Sequence, residues 1–484
     1  MNFFVNDAMG MGNSGVEHAQ FYRAKRFDQA KLPYRYIFLD LIPELHKAMD
    51  RWELRDDQVI NIWEFFTLGD DYALTGLKQR ITAKKADIVI DSTDTHRKSE
   101  EVLDSGLRVV NHLVKYPDIH KPENKLLMVS AGRTEIFNEA TGKRAIMYEY
   151  VDDPHRNRLV RNIHIFDYNG KHLFFPNRVL MYRFFFNRLN DLYGAPSTFL
   201  IDRGEEVDEA LMNQPIPDAK LVYVVHADTL GDRNDKRYPL WNNHYQYMFD
   251  HIQSSDRIVV ATELQRQDIL VDFPDVADKV VAIPVGGVRD GIKPRERNTM
   301  QDPIRVITAS RLAAEKHVDL AIKAVAKWHD EDGVNVEFDI YGRGEEQKKL
   351  EDAIKETNSG DYIKLKGLSD NLAEIYPQYD IFVSASFSEG FGLTYIEALN
   401  ASLPIVTYRA RFGATELVHD GENGFLADFK RDDMDYDVDT LHEGFKRLQA
   451  ANYGKLVANT TASLDQFQDH VIAGKWQKLM EGLR

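Results

Sequence analysis

Two carboxylates, Glu389 and Glu397, stand with seven residues between them across a glycine turn in Ser384-Ala-Ser-Phe-Ser-Glu-Gly-Phe-Gly-Leu-Thr-Tyr-Ile-Glu-Ala-Leu-Asn400. The apolar run 379–383 ahead of the turn predicts a buried strand, and the segment behind it predicts a helix that stops before Pro404. Gly390 and Gly392 let the backbone approach a ligand closely, and a helix N-terminus presents unpaired N–H groups to an anion. A phosphate suits such a turn. Thr394, three residues before Glu397, also forms a capping box that needs no ligand. Glu389 has no capping role, so its place inside the turn points to ligand chemistry.

Other side chains sit where chemistry is done in α/β proteins. The run 221–225 reads as a buried strand and leads into His226-Ala-Asp228, at the carboxyl end where such sheets bind ligands. Arg311-Leu-Ala-Ala-Glu-Lys316 follows the predicted strand 305–310 and puts two cations into one turn. Gly10-Met-Gly-Asn-Ser-Gly15 lies between a short strand, 3–5, and a helical run, 16–29. With Asp40 ending the next apolar run, this fits a dinucleotide-dependent oxidoreductase, although Ser14 and Glu17 make a second capping box. The acidic strings Asp330-Glu-Asp332 and Asp433 to Asp439 have no buried strand before them and read as solvated loops rather than metal sites.

With 484 residues, the chain calls for two or three domains. It is 43% hydrophobic and 29% charged, as soluble globular proteins are. A net charge of −16 argues against nucleic acid as a partner. The lack of cysteine removes disulfides and thiol chemistry and fits a cytoplasmic protein. Neither a signal peptide nor a membrane-spanning run of about 20 apolar residues is expected.

The elements that must position these residues follow an α/β rhythm, interrupted once. Between about 62 and 192 the pattern turns to strands at 126–131, 144–150, 161–168 and 171–175, with Asn169-Gly170 as a hairpin signal. This predicts an antiparallel meander set into the first domain. Its aromatic residues suit sheet packing or association with another chain. The α/β rhythm resumes at 198–201, and 289–303 reads as a linker to a second domain.

S-E-G-F-G-L-T-Y-I-E-A resembles the E-x7-E signature of family 4 retaining glycosyltransferases, and Arg311 with Lys316 resembles their R-x4-K motif. The resemblance implies the α/β GT-B fold, two doubly wound Rossmann-like domains facing a cleft. It places the first domain at 1–62 plus 193–296, a β-meander insert at 63–192, a nucleotide-sugar domain at 297–470, and a helix at 471–484 returning to the first domain. It further implies that a hexose leaves a UDP-sugar with retention at the anomeric carbon. Glu389 would position the sugar and Glu397 would bind the ribose. The backbone of Phe391, Gly392, Leu393 and Thr394 would hold the diphosphate, with Arg311 and Lys316 offsetting its charge. His226, Gly15 and Ser14 would lie against the donor. On this view UDP-sugar is the substrate, and neither cofactor nor metal is required. N-S-G-V-E-H-A-Q-F-Y-R-A resembles the branch that adds N-acetylglucosamine to serine-rich bacterial adhesins. That implies Ser/Thr acceptors, a related non-catalytic glycosyltransferase-like subunit that grips the acceptor, membrane contact only through a partner, and oligomer contacts through the insert. Two alternatives stand beside this reading. One is a UDP-glucose-dependent α-glucosyltransferase acting on protein or on poly(glycerol/ribitol-phosphate) wall teichoic acid. The other is a non-enzymatic acceptor-binding subunit, against which the four motif residues Arg311, Lys316, Glu389 and Glu397 argue together.

Overall fold

The computed structural model describes residues 1–12, 14–89, 97–117, 127–153, 157–232, 239–369 and 371–484. Asn13 of the glycine turn and Leu126, the expected start of a strand, lie outside them. Seven parallel strands form the first sheet, in the spatial order Val280–Ala282, Arg257–Val260, Lys220–Val224, Thr198–Ile201, Asn2–Asn6, Tyr34–Phe38, Val59–Asn61. Both faces are covered, which is why runs such as Asn2–Asn6 and Thr198–Ile201 are buried along their whole length. The chain proceeds from Asn2–Asn6 to one side of the sheet and then returns to the other side through Thr198–Ile201. Strand order therefore reverses between these two strands, and the crevice at their carboxyl ends is where such a sheet takes a ligand.

The second sheet repeats the arrangement with six parallel strands, ordered Ile363–Gly367, Val336–Tyr341, Ile304–Ala309, Ile381–Ser384, Ile405–Tyr408, Gly424–Ala427. Its reversal falls between Ile304–Ala309 and Ile381–Ser384. The turns after those two strands carry Arg311, Lys316 and Glu389.

A seven-stranded antiparallel meander runs from Lys84–Val89 to Lys171–Asn177, each strand pairing with the next. Asn169 and Gly170 close its last hairpin with φ of 51° and 76°, the double left-handed turn that Asn-Gly favours. One face of this sheet packs Tyr148 against Trp63 at 4.9 Å and Tyr168 against Phe65 at 5.7 Å. Phe65 in turn meets Phe185 at 5.1 Å, and the same apolar core continues into Phe3, Ile37 and Phe199 of the first sheet. Helices Ile62–Leu68 and Arg178–Leu192 pack in this shared core, and the antiparallel sheet itself spans 84–177.

The C-terminal helix Asp469–Glu481 crosses back to the first domain, where Ile472, Trp476, Leu479 and Met480 join a core with Phe4, Phe27, Tyr36 and Val224. Trp476 lies 5.5 Å from Phe27, and Asp469 accepts from Tyr22 at 2.6 Å and pairs with Arg26. Among the described residues no helix is long and apolar enough to cross a membrane. Removing the Trp476 ring leaves a cavity between two segments far apart in sequence. Trp476→Ala is expected to destabilise the first domain by about 3–5 kcal/mol in urea titration; a loss under about 1 kcal/mol would show the helix to be a loosely held appendage.

Candidate functional site

Glu389 sits in the turn after Ile381–Ser384 with its backbone pinned on both sides. Its N–H donates to the Arg411 carbonyl at 3.0 Å, and its carbonyl accepts from Phe412 N–H at 2.7 Å. The neighbouring loop comes this close because residue 413 is glycine, since a Cβ there would collide with the Phe391 carbonyl. The Lys316 ammonium reaches the Glu389 carboxylate at 2.6 Å, both side chains being less than one-fifth exposed. His317, at φ 44°, turns the chain from the short helix Ala314–Lys316 into helix Val318–Asp332, and its ring stacks on Phe387 at 3.9 Å. That stack fixes the segment presenting Lys316. Arg311 does not join the pair: it is exposed and bridges to Glu315 at 2.5 Å.

Helix Leu393–Asn400 begins at Gly392, whose φ of 81° is a left-handed value. No side chain caps it, so the capping box expected of Thr394 and Glu397 does not form. Thr394 lies inside the first turn instead. The first amides of the helix, at Leu393 and Thr394, are left without intrahelical partners and face an anion's natural seat. Phe391 is buried beside them. Glu397, one turn on, reaches the water of the cleft but is hemmed in by protein. That crowding pushes its carboxyl up to about 7, against a weak pull from the Tyr376 hydroxyl at 3.5 Å.

Across the cleft, Ser14 does cap helix Gly15–Gln29. Its hydroxyl accepts from Val16 N–H at 3.3 Å, its own N–H donates to Glu17 at 2.7 Å, and Arg203 donates to its hydroxyl at 3.0 Å. A Cβ on Gly15 would lie 3.8 Å from Leu393 of the opposite domain, so the two glycine turns face each other. His226 follows strand Lys220–Val224, and its Nε2 lies 2.7 Å from Asp202 Oδ1. Asp202 is fully buried, yet Arg23 and His226 hold its carboxyl down to about 2, against the upward push of burial. Sequence reasoning alone misses Asp202, although T-F-L-I-D carries the same strand-end signal as His226. Gly390 leaves no space between the domains, since a Cβ there would meet the His226 carbonyl oxygen at 2.5 Å. Polar contacts flank this approach: Ser388 donates to Asp228 at 3.4 Å, Leu264 N–H to Glu416 at 2.6 Å and Arg411 to Asp268 at 2.8 Å.

The remaining candidates lie elsewhere. Asp40 stands 3.8 Å from Arg178, and the Gly10 carbonyl is taken by the Trp52 indole at 2.9 Å. Asp330 and Asp332 end helix Val318–Asp332 rather than forming a loop, and Asp433 caps helix Met434–Ala450. Among the described residues no group of three His, Asp or Glu is arranged to hold a metal.

Comparison with known proteins agrees with this geometry. The family profile for glycosyl transferases group 1 matches residues 290–451. Over 452 residues the chain is 30% identical to the GtfA subunit of the UDP-N-acetylglucosamine–peptide N-acetylglucosaminyltransferase of Streptococcus gordonii, spanning 87% of this chain and 86% of that one. The crystal structure of the pneumococcal O-GlcNAc transferase GtfA in complex with UDP and GlcNAc superposes with a TM-score of 0.70 at 26% identity, over 100% of this chain and 98% of that one. A poly(glycerol-phosphate) alpha-glucosyltransferase of Bacillus subtilis is 27% identical over 234 residues, 48% of this chain and 33% of that one. The oxidoreductase alternative falls with these matches. The chain belongs to the GtfA-subunit family within the group 1 glycosyltransferases, and its two facing parallel sheets are a GT-B fold.

Proposed function

We propose that this chain moves N-acetylglucosamine from UDP-N-acetylglucosamine to Ser or Thr hydroxyls of a serine-rich surface polypeptide, with retention at the anomeric carbon. The observation that carries this reading is the Lys316–Glu389 pair at 2.6 Å, set at the reversal of the second sheet and facing Gly15 and His226 of the first. The relatives named N-acetylglucosaminyltransferases supply the donor and acceptor class. The diphosphate sits on the leading amides of helix Leu393–Asn400, beside Phe391 and Gly392. Lys316 and Arg311 offset the charge that grows on it, and fixed cations in a cleft do this without a metal. Glu397 accepts from the ribose hydroxyls. Glu389 and His226 hold the hexose, with Gly15 and Ser14 closing over it. The anomeric C–O bond breaks with its electron pair passing to the β-phosphate. The acceptor oxygen bonds to the same face of the sugar, and its proton passes to the departing phosphate oxygen. Glu389 positions the sugar and forms no covalent bond.

The relatives are named as subunits, which supports a second chain as partner; in this reading that chain is a related one that grips the acceptor and brings the pair to the membrane. The Bacillus match keeps a second reading, transfer to poly(glycerol-phosphate), as the rival.

Intact-mass analysis of a Ser/Thr-rich polypeptide incubated with the protein and UDP-N-acetylglucosamine tests the reading, with EDTA present in one arm. Successive N-acetylhexosamine additions in both arms are expected. Addition only from UDP-glucose would change the sugar, and sugar found only on poly(glycerol-phosphate) would move the chain to the rival branch. Glu389→Gln is expected to lower transfer by about 100-fold or more, with UDP affinity by calorimetry held within a few-fold. A near-wild-type rate, or a glycosyl adduct trapped on Glu389, would refute its positioning role. Glu397 gives a pH signature. Its carboxyl titrates near 7, and only the ionised form accepts two ribose hydroxyls, so proton and nucleotide compete below that point. UDP affinity should rise from pH 6 to pH 8, by up to about tenfold per unit below 7, and level off above it. Glu397→Gln should flatten the curve; a slope unchanged in that variant would assign it to another group.

A further inference from the structure

Asp202 is more heavily partnered than a buried carboxylate needs to be. Arg23 grips both its oxygens, at 2.9 Å and 2.5 Å, and already balances its charge. Gln20 adds a hydrogen bond at 2.6 Å. The His226 ring nonetheless turns its Nε2 onto Oδ1 at 2.7 Å. An ionised carboxylate can only accept, so the hydrogen of a neutral ring must sit on Nε2. Nδ1 then carries the lone pair, and among the described residues it has no protein partner. The backbone of the same loop is anchored separately, because the Tyr245 hydroxyl accepts from both His226 and Ala227 N–H at 3.0 Å. A ring held at one nitrogen, on a loop held at its backbone, keeps its second nitrogen aimed in one direction.

We propose that Asp202 is a positioning residue for transfer: it fixes His226 as the Nε2–H tautomer, so that Nδ1 offers a hydrogen-bond acceptor to a hydroxyl of the donor hexose. The proposal rests on the reading that His226 meets that sugar. Arg23 and Gln20 take part only by orienting the carboxylate. Arg23 is itself wedged 4.2 Å over the Phe4 ring and 5.6 Å from Trp476, so the carboxylate's orientation is set by the core. With the tautomer reversed, Nδ1–H and a sugar hydroxyl could still meet, but the hydroxyl would have to turn its lone pair inward and give up donating.

Neutron diffraction on the UDP-bound protein reads the tautomer directly. A deuteron on Nε2 and none on Nδ1 is expected; a deuteron on Nδ1, with or without one on Nε2, would overturn the assignment of Asp202. In Asp202→Asn the new amide can donate to Nε2 and turn the ring to Nδ1–H. This variant is expected to lose about 10–100-fold in kcat, the range found when the carboxylate partner of a metal-bound histidine is removed, with UDP affinity unchanged. A wild-type kcat in a folded Asp202→Asn protein would overturn the proposal. Should that variant not fold, with Arg23 left unpaired, the wild-type tautomer decides. His226→Gln separates the two levels: a wild-type rate there would remove the sugar contact of His226 and the proposal with it, whereas Nδ1–H in the wild-type protein would remove the Asp202 assignment alone.

Discussion

The cleft depends on a place where no side chain fits. The turn that carries Glu389 meets the loop that carries His226 backbone to backbone, with Gly390 against the His226 carbonyl. That approach brings the reversal points of the two sheets together, and any Cβ at residue 390 would push them apart by several tenths of an ångström. A second fastening lies where the chain crosses between domains. Val288 pairs in parallel with Gln468, exchanging hydrogen bonds of 2.9 Å with Phe467 and Asp469, and the C-terminal helix starts there. Gly287 is glycine for the same kind of reason, since a Cβ would run into the Tyr22 hydroxyl and Asp469. Two glycines with no spare volume thus set the spacing on which every contact across the cleft relies.

Charge works inside that frame. The protein carries a net charge of −16, so its overall field repels a nucleoside diphosphate, and attraction must come from cations in the cleft. Lys316 is held there by Glu389, a pair shielded enough from water to keep its geometry. Arg311 is held differently, by an exposed i,i+4 bridge to Glu315. Such a bridge contributes only a few tenths of a kcal/mol, so Arg311 can leave it for a phosphate at little cost. One cation is therefore fixed in a shielded pair and the other is free to move.

Local features are legible in this sequence, and long-range ones are not. The E-x7-E turn, the Arg311–Lys316 spacing and the Asn169-Gly170 hairpin are contiguous, and the residues themselves specify them. The Thr394–Glu397 box is local too, yet it does not form, because the left-handed Gly392 starts the helix one residue before Leu393 and leaves Thr394 past the cap. One strand of the insert carries no signal of its own. Arg97–Val102 reads R-K-S-E-E-V, and it is a strand only because Lys84–Val89 and Leu107–Pro117 flank it. Helix Ile62–Leu68 takes its place from a contact that its own residues do not announce: Phe65 is packed by Phe185 from far along the chain. Asp202 escapes notice for a related reason. Its strand-end position is visible, but its meaning comes from Gln20 and Arg23, 182 and 179 residues away.

The two faces of the first sheet explain why a large insert leaves the cleft intact. Side chains alternate along each strand, so Phe3, Val5, Ile37 and Tyr223 face one way, and Phe4, Tyr36, Phe38, Val222 and Val224 face the other. The first set shares its core with the antiparallel sheet. The second set packs on residues of helix Gly15–Gln29 and of the C-terminal helix. Everything that holds His226 through Asp202 is on this second side: Gln20 and Arg23 come from helix Gly15–Gln29, and Trp476 backs Arg23. The insert also leaves from beyond the edge strand Val59–Asn61, away from the reversal between Asn2–Asn6 and Thr198–Ile201. Its length and outer surface can therefore change while Gln20 and Arg23, which hold Asp202, stay anchored to the opposite face.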